Sequence, residues 1–107
     1  FAFHGYLPIK SPERQNAIKD LERRSMANNE TELLIETPFR NNAMLQDLCK
    51  TLHPATRVCV ACNLTCEDEL IISQSIGEWK AFKGDLNKKP AVFLVYSEPR
   101  RNYRFHK

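Results

Sequence analysis

The chain has 107 residues, 42% of them hydrophobic, which is enough for one modest core and not for two. Its formal net charge of +3 permits an anionic partner without requiring one. No apolar run approaches the ~20 residues that cross a bilayer, and no signal-peptide pattern opens the chain, so a soluble, cytoplasmic protein with no membrane partner is expected.

In chain order, Phe1 to Leu7 reads as a strand, with aromatic residues at Phe1 and Phe3 and an end at Pro8. Ser11-Pro12 predicts a helix start, Ser11 as cap and Pro12 at the first helical position. Ala17, Ile18 and Leu21 form its narrow apolar stripe, and Asn28-Asn29 ends it. Leu33-Leu34-Ile35 is a short continuous apolar run of the kind buried on both faces of a sheet, although periodicity alone does not separate it from a helix. Leu45, Leu48, Cys49 and Leu52 fall at i, i+3, i+4 and i+7 and predict a second helix, with Gln46, Asp47 and Lys50 on its polar face and Pro54 beyond its end.

Arg57 to Cys62 reads as another doubly buried strand and Leu70 to Ser73 as a third, joined through "NLTCEDE", short enough for an antiparallel connection. Ser75-Ile-Gly-Glu78 matches the S-x-x-E capping box and opens a short helix that buries Trp79 and Phe82. "GDLNKKP" is a loop, and Ala91 to Tyr96 a final apolar strand. The order β-α-β-α-β-β-α-β predicts an α/β domain over residues 1–97, with a mixed sheet of about five strands covered by helices. Residues 98–107 form a basic tail whose interleaved Tyr103 and Phe105 suit nucleic acid or simply solvent.

Cys49, Cys59, Cys62 and Cys66 include a C-x-x-C followed by C-x-x-x-C. Cys59 and Cys62 lie in the β-branched run "RVCVAC", where residues three apart point to opposite faces, whereas a zinc knuckle needs a tight turn between its ligands. Buried free thiols and no metal are therefore expected. With only three glycines, Gly5, Gly77 and Gly84, no glycine-rich loop cradles a phosphate. His4, His53 and His106 have no local carboxylate or serine arrangement that would make a triad.

Two segments that follow apolar strands, "IETPFR" and "NLTCEDE", are candidate rims, because ligands gather at the carboxyl ends of strands in open α/β sheets. Pro38 fixes a turn whose neighbouring backbone groups can bind an adenine edge, with Glu36 and Arg40 supplying charge; the alternative is an ordinary strand-to-helix connection with Arg40 in solvent.

The segments "FHGYLPIKSPERQ", "LLIETPFRNNAMLQDL" and "VACNLTCEDELI" resemble, in order and spacing, the F-x-G-F-L-P, E-[ST]-P-x-R and E-L-T segments of the ribosomal RNA small-subunit methyltransferase I type. That group belongs to the tetrapyrrole (corrin/porphyrin) methylase superfamily, two-domain class III enzymes that use S-adenosylmethionine. The resemblance runs from Phe1 to about Ser97 and implies a C-terminal domain. The partner N-terminal methyltransferase domain would carry the glycine-rich cofactor loop, in keeping with the scarcity of glycine and the strand-like start at Phe1.

The resemblance further implies a cofactor cleft lined by Gly5, Tyr6, Glu36, Thr37, Pro38, Ala61, Cys62, Asn63, Leu64 and Thr65, substrate contacts from Lys10 and Arg40, and a homodimer. Glu36 is the candidate base for a ribose hydroxyl acceptor, or else a carboxylate that binds the amides of the next helix. The chain departs from the family's R-E-L-T-K, which here reads Cys62-Asn63-Leu64-Thr65-Cys66, with three charges lost and Glu67, Asp68 and Glu69 alongside. Ribosomal RNA is then one expected substrate and a tetrapyrrole or other small molecule a second; a non-catalytic nucleic-acid or protein-binding module is the reading of another class.

Overall fold

The computed structural model of the chain describes residues 1–10 and 12–99; Ser11 and the tail from Arg100, with Tyr103 and Phe105, lie outside the described residues. Five strands, β1 (Ala2–Tyr6), β2 (Glu32–Ile35), β3 (Arg57–Cys62), β4 (Leu70–Ser75) and β5 (Ala91–Tyr96), form one mixed sheet in the order β1-β2-β5-β3-β4. β1 and β2 are parallel, whereas β5 runs antiparallel to both β2 and β3. The carboxyl ends of β1, β2 and β3 therefore share one end of the sheet with the start of β5. β4 pairs antiparallel with β3, as the short connection predicts.

Three helices, α1 (Glu13–Asn28), α2 (Asn41–Thr51) and α3 (Ile76–Trp79), bring their apolar residues to one side of this sheet. Ile18 and Leu21, then Met44, Leu45 and Leu48, then Ile76 and Trp79 pack in one cluster with Leu34, Val58, Val60, Cys62, Phe93 and Val95. The expected capping box is formed: Glu78 N donates to Ser75 Oγ at 3.2 Å while Ser75 N donates to Glu78 Oε1 at 2.9 Å. Asn29 ends α1 in the left-handed conformation, with φ of 51°, which asparagine tolerates. Pro12 stands at the N-cap, one residue before the first helical position expected for it.

The double burial expected for β2, β3 and β4 holds only at the end of β3, where Val60, Ala61 and Cys62 are buried in succession. In β2, Leu34 is buried while Leu33 and Ile35 are half-buried; β5 alternates similarly, and β4 is a largely exposed edge strand. Continuous apolar runs arise here because one face meets helices and the other is an apolar surface that nothing among the described residues covers. Within β1 the register slips between Phe3, opposite Leu33, and Tyr6, opposite Ile35, so three steps on β1 span two on β2. Gly5 makes this bulge possible, since its φ of +67° suits no side chain well. As a result Phe3 and Tyr6 both project on the uncovered face.

A buried carboxyl anchors the other face of β2. Glu32 is fully buried, with Oε1 2.6 Å from His4 Nε2 and 3.3 Å from Arg24 Nε, while its Oε2 has no hydrogen-bond partner among the described residues. Burial pushes the Glu32 carboxyl above the ordinary carboxylate range, against the pull of His4, and neighbouring Glu30 adds to the rise. The folded chain then holds the Glu32 proton more tightly than the unfolded chain does. This contribution to stability is present at low pH and falls as pH climbs from the ordinary glutamate value through the raised one. Glu32→Gln is expected to flatten that decline in urea-unfolding series taken upward in pH from the ordinary glutamate value of about 4.3; an unchanged slope would assign the pH dependence elsewhere.

Candidate functional site

A cavity of about 420 Å³ opens at the carboxyl ends of β1, β2 and β3. It is lined by Tyr6, Ile35, Glu36, Pro38, Ala61, Asn63, Leu64 and Cys66, and by Pro90, Ala91 and Val92 at the start of β5. Tyr6, Glu36, Pro38, Ala61, Asn63 and Leu64 are thus brought together from three sequence segments. Gly5, Thr37, Cys62, Thr65, Lys10 and Arg40 are not among the lining residues. Cys62 turns to the helix side, where it is fully buried and its thiol is pushed up by that burial. Lys10, Arg40 and Thr65 are exposed.

The turn after β2 is built from its carboxylate. Glu36 is buried; its Oε1 accepts from Thr37 N at 2.8 Å and its Oε2 from Arg14 Nη2 at 3.1 Å. Each oxygen thus accepts one hydrogen bond within the turn. A short 3-10 turn, Pro38–Arg40, then leads into α2.

The arginine that anchors this turn is Arg14, which the sequence reading did not single out; Arg40 is exposed. Arg14 is 4% exposed. Besides Glu36 it donates through Nε to Asp47 Oδ2 at 2.6 Å and through Nη1 to Pro8 O at 3.0 Å, and it meets Met44 Sδ at 3.7 Å. One guanidinium thereby ties the β1–α1 connection, the turn after β2, and α2. A cation in the first turn of a helix opposes the helix dipole, and that was the available signal that Arg14 has work beyond α1.

The loop 85–90, expected only as a connection, is pinned against the same turn. Lys88 N donates to Pro38 O at 2.9 Å, and Asn41 Nδ2 donates to Leu86 O at 3.0 Å and to Lys89 O at 2.6 Å. Asn42 reads the loop in both directions, receiving Leu86 N at its Oδ1 and giving its own N–H to Asn87 Oδ1. Across the cavity, Asn63 N donates to Pro90 O at 2.9 Å, and Asn63 Nδ2 to Asp68 Oδ2 at 3.0 Å. Asn63 and Thr65 adopt positive φ of 52° and 68°, which bends "NLTC" into a tight turn over the cavity mouth.

The cysteines are free thiols, but Cys66 is exposed rather than buried, because it follows β3 on this turn; Cys49 and Cys59 are half-buried. Among the described residues no group of three or more His, Cys, Asp or Glu side chains is arranged to hold a metal ion. No helix among them is long and apolar enough to cross a membrane.

No family model and no curated protein matches the sequence. Solved structures do match. The methyltransferase CobJ aligns with a TM-score of 0.52 at 14% identity, over 91% of this chain and 41% of its own. A cobalt precorrin-4 methyltransferase, CbiF, aligns with a TM-score of 0.57 at 17% identity, over 90% of this chain and 40% of its own. The uroporphyrin III C-methyltransferase from Thermus thermophilus gives 0.52 at 13% identity, over 91% and 40%. The chain therefore spans about two fifths of the length of these proteins. Its mixed five-stranded sheet backed by helices is the fold of that part of these methyltransferases.

Proposed function

We propose that this chain is the C-terminal half of an S-adenosylmethionine-dependent methyltransferase, contributing one side of the cofactor and substrate cleft. One observation carries the reading. The motif residues Tyr6, Glu36, Pro38, Ala61, Asn63 and Leu64 meet in a single cavity, in a fold shared with three methyltransferases.

The lining fits the apolar part of such a cofactor: Tyr6, Ile35, Pro38, Leu64 and Val92 offer flat contacts for an adenine ring. Glu36 and the Asn63 amide, held by Arg14, Thr37 and Asp68, are the polar groups of the lining, and the N-terminal domain would supply the remaining contacts to the ribose and amino-acid ends. When bound, the cofactor supplies an electrophilic methyl group on a sulfonium. The role of this chain is to hold the donor and acceptor in line and to exclude water. Gly5, Thr37, Cys62 and Thr65 support the lining from the adjoining strands and turns. Lys10 and Arg40 are available to an anionic group of the acceptor.

The sequence motifs favour a ribose 2′-hydroxyl of small-subunit ribosomal RNA as acceptor. A second reading, a tetrapyrrole such as a corrin or porphyrin, is favoured by the neutral lining at Asn63, Leu64 and Cys66 and by the exposed Asp68 and Glu69 beside it, which repel phosphate. Salt separates the two, since RNA binding weakens steeply with salt and binding in an apolar pocket does not.

The deciding experiment is calorimetric titration of S-adenosylmethionine, and of its demethylated product, into this chain and into the chain extended by its upstream coding sequence. Binding by the longer protein alone is the expected result. Absence of binding by both removes the methyltransferase reading in favour of a non-catalytic binding module.

A further inference from the structure

The two motif turns of the candidate site follow strands that are not neighbours, because β5 lies between β2 and β3. The three residues that lead into β5 join them. Lys88 N donates to Pro38 O in the turn after β2, and two residues on, Pro90 O accepts from Asn63 N in the turn after β3, both at 2.9 Å. Segment 88–90 is thus a bracket across the cavity. Its placement sets the distance between Pro38 on one wall and Asn63 on the other.

The first turn of α2 holds this bracket. Asn41 is fully buried, and its Nδ2 donates to Leu86 O at 3.0 Å and to Lys89 O at 2.6 Å, while its Oδ1 has no hydrogen-bond partner among the described residues. A buried acceptor left unpaired costs stability, so the two donated bonds account for asparagine here better than packing does. Asn42 accepts from Leu86 N at 2.8 Å, donates through Nδ2 to Asp85 Oδ1 at 2.8 Å, and gives its own N–H to Asn87 Oδ1 at 2.9 Å. Leu86, between these contacts, is fully buried in the core. Strain gathers at the same place: of the four non-glycine residues with positive φ among the described residues, Asn63, Thr65 and Lys88 belong to the segments around this cavity. Such conformations persist where the surrounding contacts enforce them, and they cluster at ligand clamps.

We infer, resting on the methyltransferase reading, that Asn41 and Asn42 are positioning residues of the cofactor cleft. By fixing residues 86–90 they set the width of the cleft, and with it the selectivity for a flat, unsubstituted adenine ring over a larger base. Neither is a lining residue; both act through Pro38, Asn63 and Pro90.

The test is calorimetric titration of S-adenosylhomocysteine, and of its derivative with a benzyl group on the adenine amine, into the chain extended by its upstream coding sequence. Asn42→Asp sets a second carboxylate against Asp85, whose own carboxyl is held below the ordinary range by the Asn87 N–H and the Asn42 amide. An acidic residue in the first turn of a helix is favourable, so this variant is expected to fold. It is expected to bind S-adenosylhomocysteine about tenfold more weakly, the scale of one hydrogen bond, and the benzyl derivative with little change. The preference for the smaller base then falls, whereas a general loss of stability weakens both ligands alike. Adding Asp85→Asn reverses donor and acceptor at that contact and is expected to restore affinity and preference together. Asn87→Ala, which withdraws the acceptor of the Asn42 N–H, is expected to lower the preference in the same way even where Asn42→Asp fails to fold. A wild-type protein that binds, with the preference unchanged in the folded variants, overturns the inference and leaves the methyltransferase reading standing. If the extended wild-type protein binds neither ligand, both fall.

Discussion

Arg14→Met is expected to cost about 3–5 kcal/mol of folding stability, the range for breaking a buried ion pair from one side. The substitution preserves much of the apolar stem but removes every donor. Glu36, whose side chain is 3% exposed, is left with only the Thr37 amide, and Pro8 O loses its partner. Asp47, at 32% exposure, is compensated by water and contributes less. Against a typical domain stability of about 5–15 kcal/mol, such a loss brings the chain near its unfolding limit.

Glu36→Gln should be milder, about 1–2 kcal/mol, because Arg14 retains Asp47 and Pro8 O and no charge is stranded. The double variant is then expected to cost clearly less than the sum of the single ones. Urea unfolding followed by the fluorescence of Trp79, the sole tryptophan, measures all three. A coupling energy of zero would mean that the pair is not what holds the turn.

The second large loss is expected at Trp79. α3 has only four residues, far too few to persist as an isolated helix, so the capping box and its burial must hold it. Trp79 is 2% exposed, its Nε1 donates to Val58 O at 2.8 Å, and its ring meets that of Phe82 edge to face at 5.0 Å. Trp79→Ala removes all of this beside the central strands and is expected to cost about 3–5 kcal/mol. Trp79→Phe restores most of the volume but not the donor, and about 1–2 kcal/mol should remain lost. Thermal unfolding by circular dichroism distinguishes them; equal losses would assign the whole effect to the hydrogen bond.

Local signals were read directly from the chain. The capping box at Ser75 and Glu78, the stop at Asn29, the stripe along α2, and the β3–β4 hairpin all depend on residues close in sequence, whose geometry a short segment sets by itself. The motif resemblance likewise marked the turns after β2 and β3, whose Glu36, Pro38, Asn63 and Leu64 do line one cavity.

What the chain by itself determined is which segments are strands and helices, since propensity, capping and periodicity act over a few residues. Only the tertiary structure decided what lies on each side of them. "LLI" and "LIIS" read as doubly buried because apolar content does not state what covers it, and among the described residues helices cover one face alone. The insertion of β5 between β2 and β3, the pairing of Arg14 with Glu36, and the pairing of His4 with buried Glu32 join residues 22 to 60 or more positions apart. Such contacts are selected by packing and by the need to neutralise a buried charge, and no local pattern encodes them.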